Sequence, residues 1–132
     1  MWERLWVGDL DDAEQLAVRN LHGITTVISL SDIDIENKRR GINYLHLPIE
    51  VDDAVPVGVF DRILNAVSEN IRWGTVLLHC GHGMSRAPSM AAAYMNAVGY
   101  KSIDAALKEI RRVRTFVSPS NILLDSLRRH LK

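Results

Sequence analysis

Val76-Leu77-Leu78-His79-Cys80-Gly81-His82-Gly83-Met84-Ser85-Arg86 decides the reading of this chain. Thr75-Val76-Leu77-Leu78-His79 is the most strand-like run in the sequence, short, apolar and bounded by Gly74. It predicts a buried strand that delivers Cys80 into a glycine-bearing turn, with a helix starting near Ala87. Backbone N–H groups of such a turn and of the helix N-terminus converge on one point, and the helix dipole adds positive potential there. Gly81 and Gly83 are expected to allow backbone conformations closed to bulkier residues, so that these amides point inward. The donors that hold an oxyanion also suit a thiolate, which makes the cysteine both nucleophile and resident anion. Six positions after Cys80, Arg86 can fold a planar guanidinium over a bound group and offer it two parallel hydrogen bonds. A free cysteine at a strand end is more often a small buried hydrophobe; the spacing of glycine, serine and arginine behind it is what argues otherwise.

Outward from this loop, strands and helices alternate. Trp2 to Val7 reads as a strand, Gly8-Asp9 as a turn, and Asp11 as the N-cap of a helix carrying Ala13, Leu16, Ala17 and Leu21 and ending at Gly23. Ile24 to Leu30 is β-branched and strand-like, and Tyr44 to Ile49 reads as a third strand whose Pro48 belongs at an edge or exit. Phe60, Ile63, Leu64, Val67 and Ile71 recur at helical spacing behind Pro56. Three further helices are predicted over 87–98, 102–113 and 119–131. The expected fold is α/β: one domain over 1–132, with a twisted, mostly parallel central sheet flanked by helices.

Composition limits the partners. Sixteen basic and sixteen acidic side chains balance, so no global field draws the protein to nucleic acid or to an anionic membrane. No stretch approaches the roughly 20 apolar residues of a membrane span. A lone cysteine excludes an intrachain disulfide and a multi-cysteine metal cluster, and suits a reducing, cytoplasmic compartment.

Cysteine after an apolar strand, glycine three on, serine five on and arginine six on resembles the signature loop of protein tyrosine and dual-specificity phosphatases. Arg4-Leu5-Trp6-Val7-Gly8-Asp9 with its following Asp-Ala pair, Leu21 to Leu30, Tyr44 to Glu50 and Ser118-Pro119-Ser120-Asn121 extend the resemblance over nearly the whole chain. The compact dual-specificity group is the better match, because no long tyrosine-recognition segment is present. The resemblance implies a protein tyrosine phosphatase-like fold and hydrolysis of phosphate monoesters in proteins through a phosphocysteine on Cys80, with no metal or other cofactor. The implied partner is a phosphorylated protein or peptide, bound by a monomer.

By the same resemblance, Gly81, His82, Gly83, Met84, Ser85 and Arg86 form the phosphate-binding loop, with His82 and Met84 at its variable lip and Ser85 as a brace. His79 holds the loop and tunes the sulfur. A proton donor for the leaving oxygen is expected between Glu50 and Pro56; Asp52, four before Pro56, is favoured, Asp53 is the alternative, and Asp32, Asp34 and Glu50 are weaker. Arg114 is a candidate contact to acidic substrate. Ala87 departs from the family, which usually places serine or threonine after the arginine, so a hydroxyl donor to the sulfur is missing. That departure keeps open a phosphate-binding module that turns over slowly. Phosphoinositide or RNA 5′-phosphate hydrolysis is a further alternative, although such relatives carry lysine or extra arginine where this loop has only His82. A rhodanese-type sulfur carrier lacks this spacing, and Gly83-Met84-Ser85-Arg86-Ala87 lacks the closing glycine of a serine-hydrolase elbow.

Overall fold

A computed structural model describes residues 4–50, 53–81, 85–114 and 117–131. Four strands, β1 (Leu5–Gly8), β2 (Ile24–Ser29), β3 (Asn43–His46) and β4 (Thr75–His79), form one sheet in the order β1-β4-β2-β3. Every pairing is parallel. The helices are α1 (Leu10–Gln15), α2 (Val57–Ile71), α3 (Arg86–Ala97), α4 (Ile103–Arg111) and α5 (Asn121–His130).

β4 lies at the centre because it is apolar on both faces, as a strand covered on two sides must be. Val76, Leu78 and Cys80 join the larger core with residues of α2, α3, α4 and α5. Leu77 faces the other way, toward Ala13, Leu16, Ile24 and Val27 under α1. The single short helix α1 thus covers one face, and α2 and α3 cover the opposite face with α4 and α5 packed behind them. β3 is one of the two edge strands, with Pro48 just beyond it, consistent with the position the proline demands.

The first helix differs from the sequence expectation. Its N-cap is Asp9, not Asp11: Asp9 Oδ1 accepts the Asp12 N–H and Asp12 Oδ2 accepts the Asp9 N–H, both at 2.9 Å. Two carboxylates three residues apart complete a reciprocal cap, which outcompetes a start two residues later. The helix stops at Gln15 rather than near Leu21, unwinding through i→i−3 bonds from the amides of Leu16, Ala17 and Val18. Asn20 then takes over, its side chain bonding both the N–H and the carbonyl of Ile24 at 2.9 Å, and Gly23 at φ +64° turns the chain into β2. The remaining elements fall within three residues of their predicted ends, apart from the start of the first strand at Trp2, which lies outside the described residues.

In an open parallel sheet the crevice beyond the carboxyl ends of the strands is the place for a ligand. Here the exits of β2, β3 and β4 open toward the start of α3.

Candidate active site

Cys80 is the first residue after β4 and is buried, with 2% of its surface exposed. The chain turns at Gly81, whose carbonyl accepts the Leu10 N–H at 3.1 Å from the start of α1. α3 begins at Arg86, and the Ala87 N–H points back at Cys80 Sγ across 3.5 Å. The sulfur therefore sits against an unsatisfied amide of the first helical turn, on the positive end of the helix dipole.

Arg86 is 8% exposed, and its Nη1 donates to the carbonyls of Leu30 at 3.4 Å and Ile49 at 3.3 Å. These carbonyls lie just past the exits of β2 and β3, so two neighbouring segments orient one guanidinium. A Cβ built on Gly81 would stand 3.4 Å from Arg86 Nη2, which places the guanidinium over the turn that follows the cysteine. Gly81 does not adopt a positive φ, contrary to the expectation of a special backbone conformation; its lack of a side chain instead leaves room beside the guanidinium. His82, Gly83 and Met84 lie outside the described residues.

Ser85 Oγ accepts the Ser120 N–H at 3.3 Å, tying the loop to the N-cap of α5. His79 pairs with Ser29 in the β2–β4 register, so the two side chains lie side by side, and Nε2 meets Ser29 Oγ at 2.5 Å. The imidazole is fully buried and its Nδ1 has no hydrogen-bond partner among the described residues. Burial pushes its pKa below the ordinary value, opposed by the adjacent Cys80 backbone, which lies near the ring without closing a hydrogen bond, and by the charge of Asp9. A neutral imidazole behind the cysteine leaves the stabilisation of an anion to the helix amides and Arg86.

Arg86 opens into a cavity of about 510 Å³, lined also by Asp32, Pro48, Ile49, Glu50 and Asp53. Asp53 is exposed and its Oδ1 accepts the Ala54 N–H at 2.7 Å. Asp52 lies outside the described residues. Asp32 and Glu50 share the cavity, whereas Asp34 is engaged with Lys38 at 3.3 Å and with the Ile35 N–H, which together lower its pKa. Arg114 does not stand free for substrate: Nη2 lies 3.1 Å from Asp12 Oδ2 and 3.7 Å from Asp9 Oδ2, bracing α1. The sequence reading missed Ser29, the only hydroxyl at the apolar end of its strand run, and the Leu30 and Ile49 carbonyls, which no side-chain pattern announces.

A sheet whose central strand leads into a cysteine, with an arginine opening the next helix and folding back over the turn, defines a cysteine-loop phosphatase-like domain. The family model described as dual specificity phosphatase, catalytic domain, matches residues 5–132, and the chain belongs to the dual specificity phosphatase family. A probable dual specificity protein phosphatase of Dictyostelium discoideum is 22% identical over 126 residues, covering 93% of this chain and 58% of that protein. Human dual specificity protein phosphatase 15 is 27% identical over 114 residues, covering 83% of this chain and 38% of that protein. The chain thus spans little more than half, or less, of the length of these relatives. Among solved structures, human DUSP28 superposes with a TM-score of 0.83 at 20% identity, covering 98% of this chain and 92% of its own.

Proposed function

We propose that this domain hydrolyses phosphotyrosine, and phosphoserine or phosphothreonine, in proteins, without a metal, through a phosphocysteine on Cys80. One observation carries the reading: Cys80 Sγ, the Ala87 N–H and the Arg86 guanidinium converge at the exits of three parallel strands, beside a cavity bearing loop carboxylates. In the first step the Cys80 thiolate attacks phosphorus and the bond to the leaving oxygen breaks. Asp52 supplies that oxygen with its proton, while Arg86 and the loop amides hold the three equatorial oxygens. In the second step water attacks the phosphocysteine, Asp52 takes up its proton, and the sulfur leaves as thiolate.

The test is hydrolysis of an aryl phosphate and of phosphopeptides in the presence of a chelator. Cys80→Ser is expected to abolish turnover while retaining affinity for a phosphopeptide. Activity that survives the substitution, or that needs added divalent metal, would sink the proposal. The Ala87 departure favours a second reading, a phosphate-binding module with slow turnover; binding of phosphopeptide by wild type without release of phosphate would select it.

A further inference from the structure

Two ends of α5 reach two different parts of the candidate site. At its start, the Ser120 N–H donates to Ser85 in the loop that follows Cys80. Six residues further, roughly 9 Å along the helix, Ser126 Oγ accepts the Val55 N–H at 3.0 Å while donating to the Leu123 carbonyl at 2.9 Å. One turn beyond, His130 Nε2 meets the Val55 carbonyl at 2.5 Å, and its ring rests on Phe60 with centroids 5.1 Å apart. A carbonyl can only accept, so Nε2 carries the hydrogen whether the ring is neutral or charged.

Both backbone groups of Val55 are therefore taken by α5, and Val55 itself is buried at 2% exposure, as is Ser126 at 1%. Asp53 stands two residues earlier and faces the cavity that Arg86 lines. Fixing Val55 on both sides limits where Asp53, two residues away, can stand relative to the nucleophile loop, which the same helix grips through Ser85. A serine within the apolar stripe of Leu123, Leu124 and Leu127 has no packing reason to be there; its hydroxyl is used at both ends.

We propose that α5 is a rigid spacer between the nucleophile loop and the loop of the proton donor, with Ser126 and His130 as positioning residues for proton delivery. This rests on the reading of residues 50–56 as the carrier of the general acid. Ser126 and His130 touch neither the cysteine nor the arginine, so their loss should spare phosphate capture and impair protonation of the leaving group.

The experiment is a series of aryl phosphates whose phenols range from strongly to weakly acidic, hydrolysed by wild type, Ser126→Ala, His130→Phe and His130→Gln. His130→Phe keeps a ring on Phe60 and removes the donor; His130→Gln keeps a donor. For the weakly acidic phenols, kcat/KM, which reports the first step alone, is expected to fall by about tenfold in Ser126→Ala and His130→Phe, a fraction of what a general acid supplies. For the most acidic phenol kcat/KM should change little, and His130→Gln should recover part of the loss. An equal fall on every substrate, or no fall on any, would overturn the spacer. Should wild type hydrolyse nothing, the functional reading fails on its own, and amide exchange at Val55 then decides: Ser126→Ala should quicken it by about tenfold, and unchanged exchange refutes the anchor.

Discussion

Asp53 holds its own loop in place with the oxygen that accepts the Ala54 N–H, and a carboxylate engaged in that way is better suited to shaping a turn than to carrying a proton. Asp52→Asn is therefore expected to lower kcat/KM for phosphopeptides by about a hundredfold or more, and for an aryl phosphate with a very acidic phenol far less. Asp53→Asn should do less on both; the opposite ranking in steady-state assays would move the acid to Asp53. Ala87 poses a separate question. The missing hydroxyl is partly replaced by the backbone of the same residue, whose N–H already faces the sulfur at 3.5 Å. A second donor should still favour departure of the thiolate when water attacks. Rapid mixing should show a burst near one enzyme equivalent in wild type, and Ala87→Ser should shrink it and raise the steady rate by about fivefold, the scale of one hydrogen bond of roughly 1 kcal/mol. Absence of both effects would mean that the first step is limiting. At this scale the sequence is informative where partners are close along the chain: Cys80, Arg86 and the residue after it are one loop, and spacing alone exposes them. Ser29 and the Ile49 carbonyl reach the site through strand register and could be found only with the sheet assembled.

The elements show the same division between local and distant causes. The strand and helix alternation is written in short-range periodicity, and the four later helices follow it closely. The start of α1 does not, because Asp9 and Asp11 are equally good caps in isolation and only the pairing of Asp9 with Asp12 separates them. That cap also bears on the site. Arg114 binds its carboxylates, and the next amide, that of Leu10, holds the Gly81 carbonyl. Asp9→Ala is expected to lower stability by about 1 kcal/mol, and Asp9→Ser, which restores a capping oxygen, by much less. Urea denaturation of the two variants checks this; equal losses would show that the Arg114 pair matters and the cap does not.

For the whole molecule, strand order is the least legible feature: nothing near Thr75 announces that β4 inserts between β1 and β2, which precede it by about fifty residues or more. The insertion buries His79 completely, and this has a consequence for acid stability. The unfolded imidazole takes up a proton near pH ~6.5, the native one only at lower pH because burial opposes the charge. Between those values the unfolded chain binds more protons, so stability is full above the unfolded pKa and falls as pH drops through it. Urea midpoints should decline from pH 7 to pH 5 in wild type, and the decline should be shallower in His79→Gln; parallel slopes would exclude His79 as its source.

Arg86 fastens the ends of two strands by their carbonyls before any anion arrives. On the function proposed above its role is doubled, since the side chain that would hold a transient guest is also a permanent tie of the scaffold. Truncating it to alanine would strand the Ile49 carbonyl, at a cost of about 1–3 kcal/mol, while the Leu30 carbonyl keeps the Ile49 N–H at 3.1 Å. In a cell, such a variant would be scarce as well as idle, and a phenotype at this position would confound how much protein survives with what the survivors can do. Cys80→Ser, which leaves both carbonyls satisfied, separates the two.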